Sequence, residues 1–367
     1  MWWVAKLLKK RHQEVDSPRL RTQDVERLET MFAAVNTGDS RARPSKYWIE
    51  LNRMNLAQLQ QHGYENFKRT IALNYFTFVR IYPWDSQIIF LLRHLPMRVS
   101  LDCAWRAFSA SKHDYFSAFN WIHGLLYNFL TLASWEYSRN VVRDPNLLAL
   151  RESSEGNPSL ITDRSGALIS QDLANSVIEI SAMNLSLRPG SVALELGAGY
   201  GRDAYAILAT NPGIKYVIVD IAPALWVAEI YLRHEFPDLR VFCYRDFEVF
   251  ADIEKEFLAC DIAFFLSTQI SRLPNGIADL VINVSSLHEM RLEQIGFYLT
   301  QFDRLLKEGG TFYFKQWKRG AVPFEDVVIH QRDYPIPKNW TCDLSREAPI
   351  QSKFFEERYK KCPKSSA

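Results

Sequence analysis

The sequence predicts an α/β protein built on a doubly wound, mostly parallel sheet, preceded by an all-helical N-terminal region. The first supporting observation is a short apolar strand that runs into a glycine-rich turn and then a helix, over residues 192–209. The second is the further alternation of apolar strands and helices, which is typical of parallel sheets. The third is helical periodicity without strand signals between residues 45 and 150.

The glycine-rich turn lies in the run Val192-Ala-Leu-Glu-Leu-Gly-Ala-Gly-Tyr-Gly-Arg-Asp203. Glycines let the backbone turn sharply and let a ligand lie close to it, and the next helix start offers unpaired N–H groups. The spacing is G-x-G-x-G, whereas dinucleotide-binding turns have G-x-G-x-x-G. With Glu195 two residues before the first glycine, this spacing is typical of S-adenosylmethionine (SAM) methyltransferases. We expect Glu195 to bind the methionine ammonium group, directly or through water, beside the backbone of Gly197, Ala198 and Gly199.

Two further strand ends carry residues suited to the rest of that cofactor. The strand over residues 215–220 ends in Asp220, which we expect to accept hydrogen bonds from the ribose hydroxyls, with Ile221 beside it. Thr268 and Gln269 follow the next buried strand, and we expect them at the adenine. Ligands of such sheets bind outside the carboxyl ends of the strands, so these residues are predicted to share one site.

The candidate catalytic residues follow the strand over residues 279–283. Ser285 is expected next to the cofactor, and His288 and Glu289 lie just beyond it. His288 is the candidate general base, because its ordinary pKa is near neutral. Glu289 could orient the imidazole, accept a hydrogen bond from the acceptor, or act as the base itself. The alternative is that His288 only caps or packs against the next helix.

The domain boundary is placed in the Gly/Pro/Ser-rich connection near residues 152–158. We expect an N-terminal extension over residues 1–44, a helical cap over 45–155 and a SAM-binding domain over 156–367. Gln171 lies on a polar helix start that is expected to line the cofactor pocket or to join cap and core. Arg69 in the cap could meet the SAM carboxylate.

The end of the sheet is predicted from weaker signals. A helix is expected to run to about Lys307, where Gly309-Gly310 stops it before a strand over residues 311–315. Extended pieces near residues 327–329 and 353–358 could form an antiparallel end of the sheet.

Composition excludes several classes of function. The net charge is +2 over 367 residues, with no long basic stripe, so no nucleic-acid partner is predicted. No run is long and apolar enough to cross a bilayer, although the first residues allow a weak peripheral membrane contact. No metal site is predicted, since no ligand spacing demands one. A cytoplasmic location is expected because five cysteines stand scattered, at Cys103, Cys243, Cys260, Cys342 and Cys362.

From about residue 45 onward the chain resembles the sugar O-methyltransferases of bacterial polysaccharide and surface-glycan gene clusters. The resemblance implies SAM-dependent transfer of a methyl group to a sugar hydroxyl, and a sugar or glycoconjugate as partner. It leaves the sugar and a possible homo-oligomer open. The segments that carry it are Tyr47-Trp-x-x-Leu-Asn, Gly63-Tyr-Glu-Asn-Phe-Lys-Arg-Thr-Ile, Asn74-Tyr-Phe, Gly156-Asn-Pro, Ser170-Gln-Asp-Leu-Ala-Asn-Ser, Leu194-Glu-Leu-Gly-Ala-Gly-Tyr-Gly-Arg, Asn283-Val-Ser-Ser-Leu-His-Glu-Met and Asp333-Tyr-Pro-Ile-Pro-x-Asn-Trp340.

Other functions remain open at this point. One is a small-molecule O- or N-methyltransferase with a natural-product acceptor. Another is a non-catalytic scaffold that keeps the methyltransferase fold, which cofactor affinity would distinguish from an enzyme. A nicotinamide-dependent oxidoreductase is disfavoured, because the third glycine is misplaced for a dinucleotide.

Overall fold

The structure is a computed structural model, and it describes residues 20–68, 83, 85–110, 121–322 and 327–363. The expected membrane contact of the first residues and the expected role of Arg69 fall outside these ranges. Among the helices described, none combines the length and the apolar composition needed to cross a bilayer.

The N-terminal region is helical, as predicted. Ser45 caps the second helix by accepting a hydrogen bond from the Trp48 backbone N–H at 3.4 Å, and Gly63, at φ 75°, ends it. The helices are α1 (Thr22–Thr37), α2 (Lys46–His62), α3 (Ser86–His94), α4 (Met97–Ala110), α5 (Trp121–Val141) and the short α6 (Pro145–Leu148).

A small hairpin, formed by β1 (Ile161–Thr162) and β2 (Leu168–Ile169), leads into helix α7 (Gln171–Met183). The hydroxyl of Ser170 accepts a hydrogen bond from the backbone N–H of Leu173 at 3.0 Å, so Ser170 caps the start of α7.

An eight-stranded sheet forms the centre of the molecule and confirms the predicted fold class. Its strand order is β11-β12-β8-β7-β3-β4-β6-β5, and all neighbouring pairs from β8 to β5 are parallel, whereas β12 and β11 are antiparallel. The strands are β3 (Val192–Leu196), β4 (Lys215–Asp220), β5 (Val241–Phe242), β6 (Ile262–Leu266), β7 (Ala278–Val284), β8 (Leu306–Trp317), β11 (Trp340–Glu347) and β12 (Phe354–Lys361).

Helices cover both faces of this sheet, and side chains that alternate along each strand pack against them. The helices that complete the two layers are α8 (Arg202–Thr210), α9 (Ala224–Glu235), α10 (Glu254–Ala259) and α11 (Leu292–Leu305). Tyr216 and Ile218 belong to the core under α7, α8 and α9, whereas Val217 and Val219 belong to the core under α10 and α11.

The antiparallel end of the sheet differs from the prediction in one partner. β12 pairs with β8 as expected, but its second neighbour is β11, over residues that carried no strand prediction. The piece near residue 328 forms instead a separate hairpin of β9 (Arg319–Val322) and β10 (Val327–His330). The helix α11 ends at Leu305, and β8 begins at once and runs through Gly309-Gly310, so these glycines do not separate helix from strand.

The helical region packs against the α/β layer through buried residues. Phe67 is fully buried between Tyr200 and Tyr231, with ring centroids 5.3 and 5.8 Å away. Lys68 forms a buried ion pair with Glu152 at 2.6 Å. Both residues belong to the segment that begins at Gly63 and carries part of the resemblance, and the structure places them in the core.

Candidate functional site

A cleft lies at the carboxyl ends of β3, β4, β6 and β7, which is the edge where ligands of parallel sheets bind. Strand ends form its floor and part of the N-terminal region forms its opposite wall. The cleft is lined by Ala42, Pro44, Ser45, Trp48, Leu196, Gly197, Gly199, Asp220, Ile221, Ala224, Ser267, Val284, Ser285, Ser286, Glu289, Met290, Gln294 and Tyr298.

The glycine turn adopts a conformation that only glycine accommodates easily. Gly197 has φ 75° and Gly199 has φ 60°. A Cβ atom on Gly197 would lie 2.6 Å from the hydroxyl of Ser286, so the backbone passes this side chain at close range. The turn therefore presents bare backbone to the cleft.

Asp220 ends β4 with its carboxyl in the cleft. One oxygen accepts the Gly199 backbone N–H at 2.8 Å and the other accepts the Ile221 N–H at 2.7 Å. Burial raises the pKa of Asp220 to about 7, although these two N–H donors oppose the shift. The carboxyl is thereby held rigidly, where it can accept further hydrogen bonds from a ligand.

Ser285 follows β7 and has φ 60°, an uncommon conformation for a residue with a side chain. Its backbone N–H donates to the carbonyl of Lys315 at 2.8 Å, which holds the turn against β8. Such conformations concentrate at functional sites, because the surrounding structure has to maintain them.

One wall of the cleft was not predicted from the sequence. It is formed by residues 38–45, here called the N-terminal strap. The carbonyl of Ala42 accepts hydrogen bonds from the hydroxyls of Ser267 at 3.1 Å and Tyr298 at 3.2 Å. The carbonyl of Arg43 accepts one from Gln294 at 2.8 Å. The strap therefore closes the cleft at the end of β6 and along the first half of α11.

Glu289 lines the cleft next to the strap, and its backbone carbonyl accepts a hydrogen bond from the hydroxyl of Ser45 at 3.5 Å. Its carboxyl is about one quarter exposed, and burial raises its pKa to about 8. The charge of Glu289, together with burial, raises the pKa of Tyr47 at the start of α2. A carboxyl with such a pKa can exchange a proton with a ligand near neutral pH.

His288 is buried behind the cleft and does not line it. Its ring stacks on Trp317 at 5.2 Å between centroids, and its Nδ1 lies 2.9 Å from the side-chain oxygen of Gln316. Burial lowers the pKa of His288 to about 4. Its Nε2 lies 3.7 Å from a carboxyl oxygen of Glu289. Of the two candidate catalytic residues, only Glu289 reaches the cleft.

Glu195 lies outside the cleft lining, in a buried charge cluster. Tyr216 donates a hydrogen bond to its carboxyl at 2.8 Å, and burial and the nearby Asp203 raise the pKa of Glu195 well above its ordinary value. Arg202 connects this cluster to Glu179 at 2.6 Å and to Asp203 at 3.0 Å. The structure thus puts Glu195 beneath the glycine turn and gives it partners from the protein.

Four other predicted residues are buried outside the lining of the cleft. The side chain of Gln269 accepts a hydrogen bond from the Leu266 N–H of its own turn at 3.0 Å and donates one to the carbonyl of Arg245, after β5, at 3.0 Å. Thr268 packs against Gly38, where an added Cβ would lie 2.4 Å away. Ala198 and Gln171 are also buried, and the Gln171 amide lies 3.5 Å from Gln87 of α3.

The part of the chain that the structure describes holds no group of three or more His, Cys, Asp or Glu side chains arranged for a metal ion.

Known methyltransferases are similar to parts of this chain. The family described as a methyltransferase domain matches residues 194–312, from β3 into β8. A SAM-dependent methyltransferase from Aquifex aeolicus is 16% identical, with 50% of this chain and 88% of that chain covered and a TM-score of 0.32. Geranyl diphosphate C-methyltransferase from Streptomyces coelicolor A3(2) is 9% identical, with 51% and 78% covered and a TM-score of 0.37.

No curated protein matches the chain. The matched residues include the glycine turn, Asp220 and Glu289. The match to a methyltransferase domain supports SAM as the cofactor.

Proposed function

We propose that this protein is a SAM-dependent O-methyltransferase that acts on a hydroxyl group of a sugar or glycoconjugate. The observation that carries the proposal is the position of Glu289, a carboxyl with a raised pKa, in the same cleft as the glycine turn and Asp220. The methyltransferase domain match supports the reaction class. The sugar acceptor is supported by the resemblance of the cap and C-terminal segments.

The residues of the cleft fit the cofactor. The glycine turn brings bare backbone to the cleft, because Gly197 leaves no room for a side chain beside Ser286, whose hydroxyl would lie 2.6 Å from an added Cβ. Asp220 would hold the ribose hydroxyls, with Ile221 beside the adenosine. Ser267 and the strap would border the adenine, in the place that the sequence analysis gave to Thr268 and Gln269.

We also propose that Gly197, Gly199 and Ser285 contact the methionine part of SAM. Glu195 would act from below the turn, where its carboxyl and its neighbours form the buried charge cluster. In this arrangement Glu195 reaches the ammonium group through backbone or water rather than directly. The proposed domains are a cap over residues 45–155 and a cofactor domain over residues 156–367. The strap contributes to the cofactor site.

When bound, SAM supplies a methyl group whose carbon–sulfur bond breaks, with its electron pair left on sulfur, as the acceptor oxygen bonds to the carbon. The ionised Glu289 accepts the proton of that hydroxyl, since a protonated hydroxyl is a poor nucleophile. The cleft walls hold the acceptor in line, which is the main task of such an enzyme. His288 acts from behind Glu289 and does not touch the acceptor.

Trp48 would form the acceptor side of the site. It lines the cleft with Glu289 and Met290, so an aromatic ring and a carboxyl lie next to the same space. An aromatic face packs on the apolar face of a sugar ring, while a carboxylate accepts hydrogen bonds from its hydroxyls. This combination favours a polyhydroxylated acceptor.

The test is calorimetric titration with S-adenosylhomocysteine. We expect binding by the wild type and a loss of at least about tenfold in Asp220→Ala, the scale of about 1.4 kcal/mol for one lost charge-assisted hydrogen bond. Asp238→Ala, at an exposed position after α9, is the matched control and should bind normally. Wild-type protein that releases no heat would sink the proposal and favour a scaffold.

An acceptor screen then distinguishes a sugar O-methyltransferase from a small-molecule methyltransferase. Transfer of a radiolabelled methyl group to sugars or sugar conjugates supports the proposal. Transfer to aromatic or amine-containing natural products alone would replace it with a small-molecule O- or N-methyltransferase.

A further inference from the structure

We infer that Gln316 is a positioning residue, which sets the hydrogen-bonding direction of His288 and through it the carboxyl of Glu289. This inference rests on the proposed role of Glu289 as the base. Gln316 is fully buried on β8 and lies outside the cleft lining. It belongs to a chain of side chains that connects the backbone of β3 to the catalytic carboxyl.

The direction of this chain follows from its first member. The carbonyl of Leu196 can only accept, so the side chain of Asn283 must turn its NH₂ group toward it, at 2.9 Å. The oxygen of Asn283 then faces Gln316, and the Leu287 backbone N–H donates to the same oxygen at 3.4 Å. Both contacts agree on one orientation of the Asn283 amide.

Gln316 must in turn direct its NH₂ group to Asn283, where it reaches the side-chain oxygen at 2.6 Å and the backbone carbonyl at 3.2 Å. Its own oxygen therefore faces His288, at 3.1 Å from the backbone N–H and 2.9 Å from Nδ1. An amide oxygen only accepts, so Nδ1 carries a proton and donates it. In the neutral ring, Nε2 then carries a lone pair.

Nε2, which carries this lone pair, lies 3.7 Å from a carboxyl oxygen of Glu289. The ring cannot turn away easily, because it stacks on Trp317 and its edge meets Phe354, at 6.1 Å between centroids. A protonated Glu289 can donate a hydrogen bond to Nε2 after a small rotation, whereas an ionised Glu289 gains nothing from it. This chain of side chains therefore favours the protonated form of Glu289 and keeps its pKa high.

Burial also keeps the pKa of Glu289 high. Tyr47 of α2 interacts with the Glu289 charge, and Asp220 lies across the cleft. Neither of these groups supplies a positive charge. His288 as an Nε2–H donor would instead stabilise the carboxylate, which is why the tautomer that Gln316 selects matters.

The experiment is ¹⁵N NMR of histidine-labelled protein, with His288→Asn used to assign its signal among the eight histidines. We expect the wild type to show a neutral His288 with the proton on Nδ1 from about pH 6 to 9. Gln316→Met removes the acceptor at similar volume, and the Nε2–H form should become populated. Gln316→Glu keeps an acceptor and should retain the proton on Nδ1. A wild-type ring that is charged at pH 7, or that carries its proton on Nε2, would overturn the inference without any variant.

The second readout is the ¹³C signal of the Glu289 carboxyl as a function of pH. In Gln316→Met, a hydrogen bond from Nε2–H should lower the midpoint of its titration by about one pH unit, the size expected for one such bond. The acid limb of the methyl-transfer pH profile should move with it. Gln301→Met, a substitution of a buried glutamine on α11, is the matched control and should leave both unchanged.

Affinity for S-adenosylhomocysteine separates this inference from the proposed function. Neither Gln316 nor His288 lines the cleft, so Gln316→Met should bind within about twofold of the wild type. A wild type without affinity contradicts the proposed function, whatever the tautomer. An unchanged tautomer in Gln316→Met contradicts the positioning role, whatever the affinity.

Discussion

At the scale of single residues, Glu289 makes the sharpest prediction. Glu289→Gln keeps the shape of the side chain but cannot take a proton, so kcat should fall by about 10²- to 10⁴-fold, the usual contribution of a general base. Affinity for S-adenosylhomocysteine should change little. Glu293→Gln, at an exposed position on α11, is the matched control. A variant with near wild-type kcat would show that the acceptor needs no base.

The same substitution has a signature in stability that requires no acceptor. The pKa of Glu289 is about 8 in the folded protein and about 4.3 when unfolded, so between these values the folded state binds the additional proton. Its contribution to stability is complete below about pH 4.3 and is lost as pH rises through about 8. Glu289→Gln lacks this loss. Its melting temperature should therefore gain on that of the wild type between pH 5 and 9, in calorimetric scans; a constant difference would mean that the pKa is ordinary.

Residues at the glycine turn were predictable because their roles are local. Gly197 and Gly199 adopt positive φ, which a sequence reader expects from glycine between a strand and a helix. Asp220 was predictable because it ends an apolar run that is typical of a buried strand. The inner position of His288 was not predictable, because the stacking on Trp317 and the contact with Gln316 depend on how the turn after β7 packs against β8.

At the scale of elements, the N-terminal strap carries the next prediction. Its backbone passes Thr268 so closely at Gly38 that an added Cβ would lie 2.4 Å from the threonine side chain. Gly38→Ala should displace the strap from the cleft and weaken binding of S-adenosylhomocysteine by about tenfold or more, measured by calorimetry. Gly296→Ala, whose added Cβ would meet only Pro335 at 3.9 Å, should bind normally.

A second-site change makes this prediction specific. Thr268→Gly removes the atoms that the new methyl group would meet, so the double variant should recover a large part of the affinity. If the double variant binds no better than Gly38→Ala, the strap is not held by this contact. If Gly38→Ala binds normally, the strap is not part of the cofactor site.

The strands show how much an element's partner depends on tertiary structure. The apolar strands β3, β4, β6 and β7 were predicted from composition, because a strand buried on both faces is apolar throughout. β11 escaped prediction because its residues are mostly exposed and it is stabilised by pairing with β12. An edge strand has only one neighbour and carries a weaker hydrophobic pattern.

At the scale of the whole molecule, the buried pair Lys68–Glu152 makes a prediction about how the helical region is held against the α/β layer. The ammonium lies 2.6 Å from Glu152 and 4.6 Å from the ring centre of Tyr231, and Glu152 also accepts from Ser170 at the start of α7. Lys68→Met leaves a buried carboxylate without its cation. The free energy of unfolding should fall by about 3–5 kcal/mol in urea titrations.

Two comparisons check the cause. Lys68→Met/Glu152→Gln removes both charges and should recover much of the loss. Arg53→Met breaks an exposed pair with Glu50 on α2 and should cost less than about 1 kcal/mol. Equal losses in the single and double buried variants would show that packing, and not charge, stabilises this contact.

The sequence by itself determined the fold class, the glycine turn, Asp220 and the neighbourhood of Glu289. These features depend on periodicity, backbone conformation and the order of strands, which are local properties of the chain. Only the tertiary structure decided that the strap closes the cleft, that Ser267 faces it while Gln269 does not, and that His288 stands behind Glu289. The physical reason is that these roles depend on contacts between residues far apart in the chain: Ala42 meets Tyr298, and Gln316 meets His288. Burial and hydrogen-bonding partners, which set the pKa of each acid and base, exist only after those contacts form.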